Sequence, residues 1–212
     1  MPATLQPAEP PRSAVVRSLG WLRREALPLL VLLLLLTAAR SSLANHYHVP
    51  TGSMQPALQP GDRVVVDMRA YGWHLPFTTY DLVAVRDPRP GEVVVFDSPT
   101  DGTRLIKRVA AVGGQTVAVR GGRLWVDGRP LADGAIPEEH FGSRAVVLDL
   151  DRGGGPDLAP MTVPDGQVLV LGDHRGASYD GRLFGLVPVE AFYGRALGVY
   201  HRRGDGFGWR RL

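Results

Sequence analysis

Hydrophobic positions fall in one continuous block near the start of the chain and in many short runs later. Ala26 to Ala39 is apolar apart from Pro28 and Thr37, with Leu32 to Leu36 unbroken. As helix, Ala26 to Ala39 spans about 21 Å, short of a hydrocarbon core of about 30 Å. Extension to Ala44 brings the span to about 28 Å, with Arg40 snorkelling to the outer interface. Arg12, Arg17, Arg23 and Arg24 precede the block, and beyond Arg40 no basic residue occurs before Arg63. That asymmetry predicts a single-pass membrane anchor, with the N-terminus in the cytoplasm and everything after residue 45 exported. A cleaved signal peptide is the competing reading, because Ser42-Leu43-Ala44 is a small-x-small site behind a basic, Leu-rich start.

From residue 61 the pattern changes to short β-branched runs separated by turn residues. Arg63 to Asp67, Glu92 to Asp97 and Gln167 to Leu171 read as strands. Thr116 to Arg120 and Arg123 to Val126 flank Gly121-Gly122, a two-residue hairpin signal, and Asp127-Gly128 supplies a further turn. Between residues 61 and 190 no amphipathic helix of useful length is legible. Asp151 to Pro160, with three consecutive glycines, reads as a flexible surface loop or the tip of an inserted subdomain. The expected organisation is a polar segment 1–25, an anchor 26–44 and a mainly β, antiparallel domain 45–212. A smaller β subdomain is inserted at about 113–165.

Composition narrows the chemistry. Gly 26 and Pro 18 in 212 residues suit strands and turns better than a helical bundle. Cysteine is absent, which removes thiol nucleophiles, Cys-ligated metals and disulfides. The net charge of +3 comes from arginines scattered among acids, without the basic stripe that nucleic acid requires. Of the 24 basic residues only Lys107 is a lysine.

That lone lysine carries the first chemical signal. Arg replaces Lys at any surface ion pair, but only Lys can be desolvated into a neutral base. Leu105-Ile106 before it and Val109 to Val112 after it suggest a buried strand. A second signal is Pro50-Thr51-Gly52-Ser53-Met54-Gln55-Pro56, where prolines restrict a turn that could present Ser53 rigidly. It is not a Gly-x-Ser-x-Gly elbow. The third signal is Gly172 to Arg182, where Asp173, Arg175, Asp180 and Arg182 alternate in sign. Arg–carboxylate pairs within it would lock a supporting wall. Taken singly, each segment is equally well an edge-strand lysine, a polar turn and a solvated loop.

Together, and in this order behind an apolar block, the segments resemble bacterial type I signal peptidase. The motifs are Pro50 to Pro56, Gly61 to Val66, Ile106 to Val109 and the Gly172 to Arg182 cluster. Arg89 to Phe96 and Gly122 to Gly128 fit the same pattern, so the resemblance covers about residues 45–200. It implies a Ser–Lys dyad serine protease: Ser53 as nucleophile, Lys107 as general base, and the Ser53 N–H and Thr51 hydroxyl as the oxyanion hole. It further implies that Ser178 orients the amine, and that Asp180 and Arg182 form a supporting ion pair with Asp173 and Arg175 in the same wall. Pro50, Leu58, Leu105 and Ile106 would border shallow pockets for small substrate residues. The chain departs from the family at His174, Gly181 and Gly113-Gly114-Gln115, where Asn, Ser and Pro-Gly-Asp are usual.

The resemblance implies a membrane-anchored endopeptidase that removes signal peptides from exported pre-proteins, with membrane lipid as its other partner and no cofactor. Two rivals are a peptidase with the same dyad specialised for pilin or conjugation precursors, and a non-catalytic anchored β-module. His46-x-His48 could chelate a metal, but no third ligand is identifiable, so no metal site is predicted. His174 is the only histidine inside a motif.

Overall fold

The computed structural model describes residues 22–33, 44–74, 81–84, 86–132, 134 and 136–212. The chain divides into two compact units, 1–41 and 42–212. In the first, Leu22–Ala26 is a π-helical turn that continues as α-helix over 27–33. Leu27, Leu29, Leu30, Leu32 and Leu33 are all exposed on this helix. No helix among the described residues is long and apolar enough to cross a membrane. The rest of the predicted anchor before Ala44, and residues 1–21 of the polar segment, lie outside the described residues.

The second unit is built from strands. In chain order they are β1 (Ala44–His48), β2 (Arg63–Asp67), β3 (Gly72–His74), β4 (Asp81–Ala84), β5 (Val93–Asp97) and β6 (Arg104–Val112). There follow β7 (Thr116–Arg120), β8 (Arg123–Val126), β9 (Arg129–Pro130), β10 (Glu138–Phe141), β11 (Arg144–Val147) and β12 (Leu158–Thr162). The last four are β13 (Gln167–Leu171), β14 (Val187–Pro188), β15 (Phe192–Arg202) and β16 (Gly206–Arg211). The main sheet runs β1-β2-β15-β5-β6-β13-β14, with β16 added to β15. A separate four-stranded sheet, β12-β7-β8-β9, and the β10–β11 hairpin arise wholly between β6 and β13. All these ladders are antiparallel. The chain is therefore mainly β and antiparallel, as its patterning implies.

Local chemistry explains the pieces. In β2, Val64 and Val66 are fully buried while Arg63 is exposed, the alternation of a strand with one face inward. Val93 to Phe96 in β5 is buried throughout, and β5 lies between β15 and β6. Gly121 and Gly122 both have positive φ, as a tight two-residue turn between β7 and β8 demands. Helix is confined in this unit to Gly181–Phe184 and two single 3-10 turns among the described residues.

Two expectations change. Ala44, the assigned end of the apolar block, opens β1 and pairs with Asp67. The 151–160 stretch is docked, not free: an ideal Cβ on Gly154 would stand 2.2 Å from the Gly121 backbone, and Gly121 N–H donates to Asp157 Oδ1 at 2.7 Å. Three glycines in a row permit close backbone approach as readily as they permit mobility.

Candidate active site

The turn that carries Ser53 is held from both ends. Val49 N–H donates to Asp62 O at 2.9 Å and Gly61 N–H to Val49 O at 2.8 Å, closing residues 49–61 into one loop. Met54 and Leu58, both fully buried, pin its interior against Val64 and Val95. The buried Asp62 carboxylate accepts from Arg202 at 2.7 Å and caps Gln59 N–H at 2.9 Å. Ser53 is thereby fixed with 9% of its surface open. Among the described residues its N–H donates to no backbone or side-chain acceptor.

Lys107 sits in the middle of β6 opposite Val94 of β5, and 2% of it is exposed. Its Nζ donates to Ser53 Oγ at 2.7 Å. Burial disfavours the ammonium and lowers the Lys107 pKa from 10.5 to about 8. The Asp180 and Asp173 carboxylates oppose the fall, and the Arg182 charge assists it. Thr51 Oγ1 donates to Ser53 Oγ at 3.4 Å, so a second hydroxyl faces the same oxygen.

The wall behind the pair is the stretch after β13. Asp180 accepts from Arg182 Nε and Nη2, both at 2.8 Å, and from Gly172 N–H at 3.0 Å. Burial would raise the Asp180 carboxyl, but the Arg182 bonds and charge hold it below its ordinary value. Arg182 also donates to Gly154 O at 2.6 Å and to Arg175 O at 2.7 Å. Asp173 is paired with Arg108, the residue after Lys107, at 2.8 and 2.7 Å. Arg175 reaches away to Glu139 at 2.7 Å and Gly122 O at 3.0 Å, bolting the wall to the smaller sheets. The charges of the wall are thus satisfied in pairs, but only Asp180–Arg182 closes within it.

The remaining candidates separate. No hydrogen bond runs from the buried Ser178 Oγ to Lys107 among the described residues; the hydroxyl lies toward Asp180 and helps to hold its carboxyl low. Pro50 is exposed beside the turn. Ile106 packs with Met54 and Leu58 beneath the turn, whereas Leu105 packs in the neighbouring cluster with Val94 and Phe96. Leu58 is fully buried and can only back a pocket from behind.

Three residues of the site carry no individual signal in the sequence. Gly172 is one: an ideal Cβ there would lie 2.2 Å from Ser178 Oγ and 2.4 Å from Ser53 O. Arg108 and Glu139 are the others, each the buried partner of a wall charge. For Arg108 the clue is position, one residue beyond the lone lysine.

A hydroxyl hydrogen-bonded to a desolvated amine of lowered pKa, with a free N–H and a second hydroxyl alongside, is equipped for nucleophilic acyl transfer. A family model described as signal peptidase, peptidase S26, matches residues 22–201. A probable signal peptidase I-1 of Synechocystis is 34% identical over 177 residues, covering 82% of this chain and 80% of its own. The signal peptidase I of Pseudomonas aeruginosa is 31% identical over 199 residues, covering 82% and 69%. A crystal structure of a signal peptidase I from Enterococcus faecalis covers 53% of this chain and 98% of its own at 27% identity, with a TM-score of 0.37.

Proposed function

The chain belongs to the signal peptidase family, peptidase S26, and we propose that it removes signal peptides from exported pre-proteins by a Ser53–Lys107 dyad. The observation that carries the reading is the 2.7 Å bond between Lys107 Nζ and Ser53 Oγ, made by an amine whose pKa is lowered to about 8. Near neutral pH a useful fraction of such an amine is unprotonated, and the direction of the bond reverses so that Ser53 O–H donates to nitrogen. Ser53 Oγ attacks the scissile carbonyl as Lys107 takes its proton. Lys107 then returns the proton to the leaving amine, and water repeats the sequence on the acyl-enzyme.

The tetrahedral oxyanion would be received by the Ser53 N–H and the Thr51 hydroxyl, each worth ~3 kcal/mol in the transition state. Asp180–Arg182 and Asp173–Arg108 hold the wall as ion pairs, and the pull of the two carboxylates on the amine is outweighed by desolvation. Ser178, packed against Gly172, would serve the dyad by orienting the Lys107 amine. Pro50 and Ile106, with Leu105 at the side and Leu58 behind, would bound shallow pockets that accept small residues.

The apolar block from residue 26, ending before Ala44 of β1, would anchor the chain in the cytoplasmic membrane, with the N-terminus inside and the strands from β1 onward on the extracytoplasmic face. Support comes from the arginine bias before the block and from the exposed leucines of residues 27–33. Ser53 follows β1 closely, so the scissile bond would be cut near the bilayer surface, where a signal peptide ends.

The test is cleavage of a pre-protein by the full chain in detergent micelles, with N-terminal sequencing of the product. Cutting after a small-x-small site, lost in Ser53→Ala, is the expected result. Activity that persists in Ser53→Ala would overturn the proposal.

A further inference from the structure

The segment after β11 runs alongside the wall. Asp149 N–H donates to Asp173 O at 3.0 Å, Arg175 N–H donates to Asp149 O at 3.0 Å, and a parallel bridge joins Asp149 to His174. Two carboxylates are thereby brought against one imidazole. One donor atom from each of Asp149, Asp151 and His174 lies within 4.8 Å of the others. His174 is only 5% exposed. Its Nε2 lies 2.6 Å from Asp151 Oδ1. Its Nδ1 is buried, has no hydrogen-bond partner among the described residues, and stands 4.0 Å from Asp149 Oδ2.

This arrangement is incomplete as a hydrogen-bonded network. Asp151 can only accept, so it assigns the ring proton to Nε2 and leaves a lone pair on Nδ1. That lone pair faces a carboxylate oxygen, another acceptor, across a gap too long for a hydrogen bond. Two acceptors facing one gap, a buried imidazole nitrogen and a half-buried carboxylate oxygen, are what a cation requires. The 4.0 Å separation needs to close by only about half an ångström to reach the roughly 3.4 Å between two ligands about 2.0–2.2 Å from one tetrahedral ion. A carboxylate on the far nitrogen is also the usual support of a metal-bound histidine.

We propose that Asp149, Asp151 and His174 form a binding site for a divalent transition cation of the Zn²⁺ class. His174 Nδ1 and Asp149 Oδ2 are direct ligands, Asp151 orients the ring through Nε2, and water completes the shell. Imidazole with carboxylate favours this class over Mg²⁺ or Ca²⁺, which take oxygen alone. The Asp151 side chain is 62% exposed, which leaves an entry path. An Asn at position 174 would have no comparable nitrogen lone pair, so the site depends on the imidazole. Because His174 N–H also donates to Ser53 O at 3.2 Å, an ion here would brace the segment 149–151 against the strip that positions the nucleophile.

The test is calorimetric titration of ZnCl₂ into the full, untagged chain after chelator treatment. It uses a His46→Ala, His48→Ala background, because that exposed pair in β1 is a second possible chelator. One ion per chain is expected, with a dissociation constant below roughly 100 µM. Asp149→Asn and His174→Asn should each weaken it at least about tenfold, and Asp151→Asn about 10–100-fold. Saturating Zn²⁺ should raise the thermal midpoint of the background protein but not that of the near-isosteric Asp149→Asn variant, which serves if His174→Asn misfolds. No binding up to about 1 mM Zn²⁺, binding that Asp149→Asn leaves unaltered, or equal affinity for Mg²⁺ or Ca²⁺ would each overturn the proposal.

Discussion

Lys107 concentrates the opposition between stability and activity in one side chain. Its folded pKa of about 8 lies below the unfolded 10.5, so between those values the unfolded chain binds more protons than the native one. Stability attributable to this group therefore rises with pH across that window, and the penalty is fully present below about 8, where it amounts to roughly 3 kcal/mol. Lys107→Met should accordingly be inactive yet unfold at higher denaturant at pH 7, with the advantage shrinking toward pH 10. An equal or lower midpoint at pH 7 would contradict the desolvation account. Wild-type kcat/KM should climb through pH 8, and Lys107→Arg should be as inactive as Lys107→Ala, because guanidinium cannot act as a base. A measurable pH–rate profile for Lys107→Arg would remove Lys107 as the base. Gly172→Ala makes a different point. The added methyl would press on Ser53 O and Ser178 Oγ, so kcat should fall at least about tenfold, with far-UV circular dichroism unchanged. Unchanged kcat would mean that the wall yields without moving the nucleophile. The lysine was legible because it is alone among arginines. The glycine was not, because its constraint comes from residues far away in the chain or on the next turn.

At the scale of elements, patterning located the strands that own a run of β-branched residues. Gln167 to Leu171 and the 116–120/123–126 hairpin match β13, β7 and β8 residue for residue. β15 and β16 escaped notice: Gly194, Arg195, Gly198, His201 and Arg202 interrupt any alternation in β15, whose pairing with β2 and β5 decides its form, and β16 forms against β15. Charge pairing in the wall was half legible for a similar reason. Asp180 caps the helix Gly181–Phe184, and that turn folds Arg182 back onto it. Asp173 and Arg175 have the same spacing, yet each finds its partner in a distant strand, Arg108 in β6 and Glu139 in β10. Such buried pairs are costly to break and cheap to replace whole. Asp173→Leu or Arg108→Leu alone should destabilise by roughly 3–5 kcal/mol, and the double substitution by much less. A double-mutant cycle in urea with additive losses would show that the pair is not a coupled unit.

The largest scale is the division of the chain into two units, to which the proposed function gives different tasks, chemistry and delivery. The strands, the loop 49–61 and the wall all belong to the unit 42–212, and its core clusters draw on no described residue before Tyr47 of β1. Substrate choice near the cut should then be a property of that unit alone: shallow pockets admit Ala at the first and third positions before the scissile bond. Aromatic side chains should be refused, since pocket size rather than binding strength sets the limit. Efficient cleavage of a pre-protein with Phe just before the cut would show that these pockets are wrongly placed. The anchor should contribute something else, the confinement of enzyme and precursor to one bilayer. A chain starting at Ser42 keeps β1 entire, so it should cleave a short soluble peptide with kcat/KM within a few-fold of the full chain. On a membrane-embedded precursor the same truncation should cost about a hundredfold, through lost effective concentration alone. The two substrates must be compared on the same preparations. Loss of peptide cleavage as well would make the N-terminal segment part of the catalytic fold, and equal processing of both substrates would leave the anchor no role in delivery.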